Sequence, residues 1–182
     1  MKLADYPGKR GVTLVEVLAV VTIMGILSGI GVAGLRNAMM NSRIKDAGIN
    51  VTAFMERAAN EATRLNSKAC VTVSGKTLKL YKGACNVKHA NTDLIDDFTL
   101  ESANTFLTTG SSVNCPDLPA AKKAPASSVP LEPKIGVSPV PAGCILVRYG
   151  SSDRYASIIK LSTKFSVYYK LSYDSGSSWF EP

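Results

Sequence analysis

The stretch GKRGVTLVEVLAVVTIMGILSGIGVAGLRNAM, residues 8–39, sets a single carboxylate, Glu16, into an otherwise uncharged apolar run from Val12 to Leu35. As an α-helix these 24 residues span about 36 Å, enough to cross a hydrocarbon core of roughly 30 Å with some tilt. The run reads as a transmembrane segment. Ahead of it, Met1 to Gly11 holds no apolar region, and Lys9 and Arg10 stand directly before the run. A secretory signal would carry its small-residue cleavage site after the apolar stretch, so this is a different kind of N-terminus. The two bases are expected to hold the N-terminus in the cytoplasm and send the chain beyond Leu35 across the membrane.

Glu16 is the most informative residue. A lone carboxylate below the membrane surface is costly, so it either reaches the polar interface or has a partner or a function. The residue types alone leave both readings open.

Beyond the run, the composition turns amphipathic. Ala47, Val51, Met55, Ala58, Ala62 and Leu65 recur every three or four residues, with Phe54 widening the stripe. The spacing predicts one helix from Val12 to about Asn66, with Gly25, Gly29, Gly31, Gly34 and Gly48 as its weak points. The period then changes to two. Ala69–Val73 and Thr77–Tyr81 flank Ser74, Gly75 and Lys76 as a β-hairpin. Cys144–Tyr149, Tyr155–Leu161 and Phe165–Leu171 read as a β-meander. Between these groups, about Ala103 to Gly143 holds seven of the nine prolines and reads as an elaborated loop, beside a strand at Phe98–Glu101. The expected class is α+β, a long N-terminal helix packed on a C-terminal antiparallel β-sheet domain. Its divisions are a leader 1–11, a transmembrane half 12–35, an amphipathic half 36–66 and a β-rich domain 67–182 with the Pro-rich loop at about 103–143.

Gly11 followed by Val-Thr-Leu-Val-Glu and a long apolar run, behind a short basic leader, resembles the N-terminus of type IV prepilins and type II secretion pseudopilins. The resemblance implies that prepilin peptidase cuts after Gly11 and that the new N-terminus at Val12 is methylated. It also implies that Glu16 pairs with the terminal amine of a neighbouring subunit. An ammonium and a carboxylate entering lipid together neutralise each other. Two departures are visible. Val12 stands where many members have Phe, and Ala33 stands where many have a proline. Gly29, Gly31 and Gly34 offer a substitute weakness there, or Gly25 and Gly29 serve close helix packing as a GxxxG pair. Farther on, Asp46 to Ala62 followed by a hairpin, and a last strand pair joined near Ser162-Thr-Lys-Phe165, is similar to the H-type minor pseudopilins and FimT-type minor pilins. Lys164-Phe165 replaces their familiar Gly-Arg.

The formal charge is +7, falling to about +5 without the leader's three bases and one acid, a mild excess compatible with anionic lipid and nucleic acid. Cys70, Cys85, Cys115 and Cys144 all lie beyond the apolar run, on the side where oxidising conditions favour disulfides. No CxxC pair suggests zinc. Proximity favours Cys70 with Cys85 and Cys115 with Cys144, each closure being worth about 3–4 kcal/mol; the other two pairings stay open. His89 is the lone histidine and no nucleophile elbow is present, so neither an enzyme nor a cofactor is expected. The resemblance offers calcium binding by Asp93, Asp96 and Asp97, as in loops of some pseudopilins, but they lack EF-hand spacing and read as a solvated turn or helix cap, so no metal site is expected.

Strict alternation from Lys160 puts Lys160, Lys164, Tyr168 and Lys170 on one face. With Arg148 and Arg154 this makes either a basic, aromatic nucleic-acid patch or an ordinary solvated face. The expected function is that of a minor structural subunit of a type II secretion pseudopilus or type IV pilus. The alternatives are a DNA-capturing minor pilin and an adhesive pilin using the loop 103–143. The expected partners are other subunits, prepilin peptidase, an inner-membrane assembly platform and membrane lipid. The expected location is the bacterial inner membrane, crossed once with the C-terminal domain in the periplasm, and then the filament.

Overall fold

The structure, a computed structural model, describes residues 11–101, 104–108, 113–118, 125–133, 136–137, 143–151, 153–159 and 168–181. Helix α1 runs Leu14–Arg64. The strands are β1 Ala69–Ser74, β2 Thr77–Lys82, β3 Leu94–Thr99, β4 Thr105–Thr108, β5 Ser128–Glu132, β6 Gly136–Val137, β7 Ile145–Tyr149, β8 Tyr155–Ile159 and β9 Tyr168–Ser172. The chain divides into two compact units, one ending at Met39 and the other starting at Met40.

The first unit is the apolar part of α1. An 18-residue stretch of it has a mean hydropathy of 2.2 and none of it is buried. Its large aliphatic side chains are between 46% and 81% exposed. The backbone is satisfied by the helix itself, and the Thr22 hydroxyl donates to the Leu18 and Ala19 carbonyls at 3.0 and 2.8 Å. That side chain's hydroxyl therefore has internal partners, as a low-dielectric solvent demands.

In the second unit the remainder of α1 packs on two antiparallel sheets, ordered β3-β2-β1-β5-β6 and β4-β7-β8-β9. Ile44, Ala47, Val51, Phe54, Met55, Ala58, Ala59 and Ala62 are buried, the three-and-four spacing that turns one helix stripe inward. Against it lie Val71, Leu78, Leu80, Val129 and Leu131 of the first sheet and Leu107, Val147, Ala156, Ile158 and Leu171 of the second. Phe54 stacks on Phe98 with ring centroids 5.8 Å apart. Gly48 lets the second sheet come close, because a Cβ there would sit 2.9 Å from Tyr169 Cδ2. Gly75 opens the β1–β2 turn at φ +59°, a left-handed position of the kind two-residue hairpin turns require. The two sheets meet where the Leu107 N–H donates to the Gly75 carbonyl at 2.8 Å.

The stretch expected to be an elaborated loop, 103–143, contributes three strands, β4, β5 and β6. The proline content of that stretch hid them. Pro130 sits inside β5, which β6 pairs only at Leu131 and Glu132, so the ring needs no donor to β6 at that point. The second sheet is covered on its other face too, where Leu146 and Tyr155 pack with Val113, Cys115, Leu118, Cys144 and Trp179 in a second, smaller core. The expected start of the last strand at Phe165, with Lys160 and Lys164, lies outside the described residues; β9 is described from Tyr168.

Phe54 is 1% exposed and shared between helix and sheet. Phe54→Ala should lower unfolding stability by about 3–5 kcal/mol, read as a fall in the thermal midpoint of the full chain in detergent. An unchanged midpoint would contradict the packing described.

Candidate functional site

The first helical residue is Leu14, so Gly11, Val12 and Thr13 stand outside the helix. Thr13 is the N-cap. Its Oγ1 accepts from the Glu16 N–H at 3.3 Å, and its carbonyl accepts from the Glu16 and Val17 N–H groups at 3.1 and 3.3 Å. The spacing Thr13-x-x-Glu16 is that of a capping box, and Glu16 adds a negative charge in the first turn, where the helix dipole favours it. This role of Thr13 was readable from the sequence, since Thr with Glu three residues later, before an apolar run, is the signature; the apolar run drew attention past it. Among the described residues the Glu16 carboxylate has no partner, and none of their atoms lies within 4 Å of where a Gly11 Cβ would be, chain neighbours aside.

The four cysteines form two disulfides, Cys70–Cys85 and Cys115–Cys144, each joining neighbours in sequence. The first ties β1 to the segment after β2. The second pins the loop around Cys115 to the start of β7, and Cys115 and Cys144 are 2% and 1% exposed.

The basic residues of the last strands are spread over different environments. Lys170 faces the second core: its Nζ is 2.8 Å from Asp117 Oδ2 and 3.8 Å from Glu181 Oε1, and its side chain is 17% exposed. Arg154 donates to Asn41 Oδ1 on the helix. Arg148 lies opposite Phe106 and Tyr155, with its Nε buried and without a hydrogen-bond partner among the described residues. Tyr168 pairs with Ile159 in the ladder, while Lys160 and Lys164 lie outside the described residues. Alternation put Tyr168 and Lys170 on one face, but it could not tell that the cystine loop covers the Lys170 end of that face.

Other residues with chemical potential are engaged locally. Asp93 Oδ2 accepts from the Ala90 N–H at 3.0 Å, Asp96 pairs with Arg57 at 3.2 Å, and Asp97 stands opposite Lys79. His89 stacks on Tyr81 at 4.7 Å. Tyr149 OH accepts from Asn104 Nδ2 at 3.4 Å and Arg43 Nη1 at 3.2 Å, and these two donors lower the phenol's pKa, Asn104 most.

Residues 7–32 match the prokaryotic N-terminal methylation motif. No curated protein and no solved structure matches the chain. The motif brackets Gly11, Val12 and Glu16 and supports a place among type IV pilins and pseudopilins. It also supports a precursor that prepilin peptidase processes and that assembles with other subunits of its kind. The exposed apolar helix fits a membrane anchor.

Peptide mapping without reduction should yield the 70–85 and 115–144 cross-linked pairs and no alkylatable thiol. Recovery of any crossed pair, such as Cys70 with Cys115, would contradict the fold.

Proposed function

We propose that the chain is a structural subunit rather than an enzyme: a minor pilin or pseudopilin, cut after Gly11, methylated at Val12 and assembled through its N-terminal helix. The observation that carries this is Glu16, the only charged residue of α1 before Arg36, set within the matched motif and surrounded by exposed aliphatic side chains. A carboxylate at the start of a lipid-exposed helix is costly alone and tolerable beside an ammonium. Cleavage after Gly11 would create such an ammonium at Val12, four residues away in sequence. The assembly platform of the inner membrane would receive the processed subunit, with the domain after Met40 on the periplasmic side. The Asp46–Ala62 pattern followed by a hairpin supports the minor, H-type reading.

A DNA-capturing role draws less support, because Lys170 is held by Asp117 and Glu181 and Arg154 is bonded to Asn41. Phosphate binding would have to compete with those contacts.

Glu16→Ala should leave membrane insertion and cleavage unchanged, since alanine is the better helix former and is cheaper in lipid. Incorporation into filaments sheared from cells should fall by about tenfold or more, because stranding one charge of a buried pair costs about 3–5 kcal/mol. Normal incorporation would show that Glu16 has another purpose.

A further inference from the structure

A cavity of about 410 Å³ opens between α1 and the segment joining β3 to β4. Its floor is apolar. Phe98 is half-buried, Leu100 is 4% exposed, and Ile49 presents a branched side chain 44% exposed. Asp46 on the helix and Glu101 after β3 also line it, both exposed.

Most of the other carboxylates after Met40 are engaged. Asp96, Glu61, Glu132 and Asp117 are each ion-paired with a base, and Asp93, Asp153 and Asp174 accept hydrogen bonds. Asp46 and Glu101 have neither kind of partner among the described residues; the same holds for Glu56 and Asp97, but these lie outside the cavity lining. Arg43, the one base among the described residues lining the cavity, is directed to Tyr149 OH at 3.2 Å. In a chain of formal charge +7, a cavity with two unpaired acids over an aliphatic and aromatic floor is complementary to a cation on an aliphatic stem: carboxylates for the head, Ile49 and Phe98 for the methylenes.

We propose that this cavity receives a lysine or arginine side chain from the neighbouring subunit of the filament, a contact that rests on the filament reading above. The two acids set which neighbour fits and in what orientation, as interfacial charges do. The cavity is lined by residues of the helix, of the first sheet at Phe98 and of the second at Thr105, so an occupant also touches all three elements.

The test uses the full-length chain in its own envelope with its assembly machinery. Asp46→Asn with Glu101→Gln keeps shape and removes charge, and should lower the fraction recovered in sheared filaments by about tenfold. The matched pair Glu56→Gln with Asp97→Asn, acids outside the cavity, should assemble as wild type. Independently, a benzophenone side chain in place of Ile49 should cross-link on irradiation to a neighbouring subunit, at a peptide containing Lys or Arg. Wild-type incorporation of the neutralised pair, or a cross-link only to lipid or to a peptide without a base, would overturn the proposal. If the unaltered chain is cleaved after Gly11 but never found in filaments, the filament reading itself falls and takes this contact with it. The two failures are therefore told apart by the wild-type lane.

Discussion

An uncovered apolar helix surface governs the molecule. From Leu14 to Leu35 the described side chains of α1 stand exposed, and at about 25 cal/mol per Å² of apolar area such a surface has no stable place in water. It must be solvated by lipid or by other helices. That single requirement explains the self-contained backbone, the internally bonded Thr22, and the presence of Thr13 to satisfy the first turn's donors. It also isolates Glu16, whose charge the apolar part of the helix cannot neutralise from its own described residues.

The second unit meets the opposite constraint. Here α1 is the shared wall of two sheets, and residues from Ile44 to Ala62 serve both. The first sheet is packed from the helix side and tied by Cys70–Cys85. The second is enclosed on both faces, with the Cys115–Cys144 loop and Trp179 forming its outer cover. This cover determines the chemistry of the last strands. Lys170 is held against Asp117 and Glu181 as part of a structural contact, which is a different use of a lysine from a solvated phosphate binder.

Much of this was legible in the residues. The helix stripe at Ala47, Val51, Met55, Ala58 and Ala62, the hairpin around Gly75, and a C-terminal group of strands all stem from periods of 3.6 and 2, which depend only on neighbours along the chain. The strands inside 103–143 were not legible, because β4 and β6 are too short to show a period and β5 contains Pro130. The covering of Lys170 was invisible for a related reason: alternation assigns residues to faces, but which face a distant loop covers is set by contacts between Asp117 and Lys170 that no local pattern encodes. The cavity at Asp46 and Glu101 likewise joins positions far apart in the chain. Glu16 stood out at once, since a charge among aliphatic residues needs no tertiary context to be conspicuous.

The central claim is that the chain enters its assembled state through a new amine at Val12 set against Glu16. The most direct measurement is the mass of the N-terminal peptide of the protein recovered from cell envelopes. The expected peptide begins at Val12 and carries one added methyl group on its amine. A peptide that still contains Gly11, or one that begins at any residue after Val12, would contradict the account.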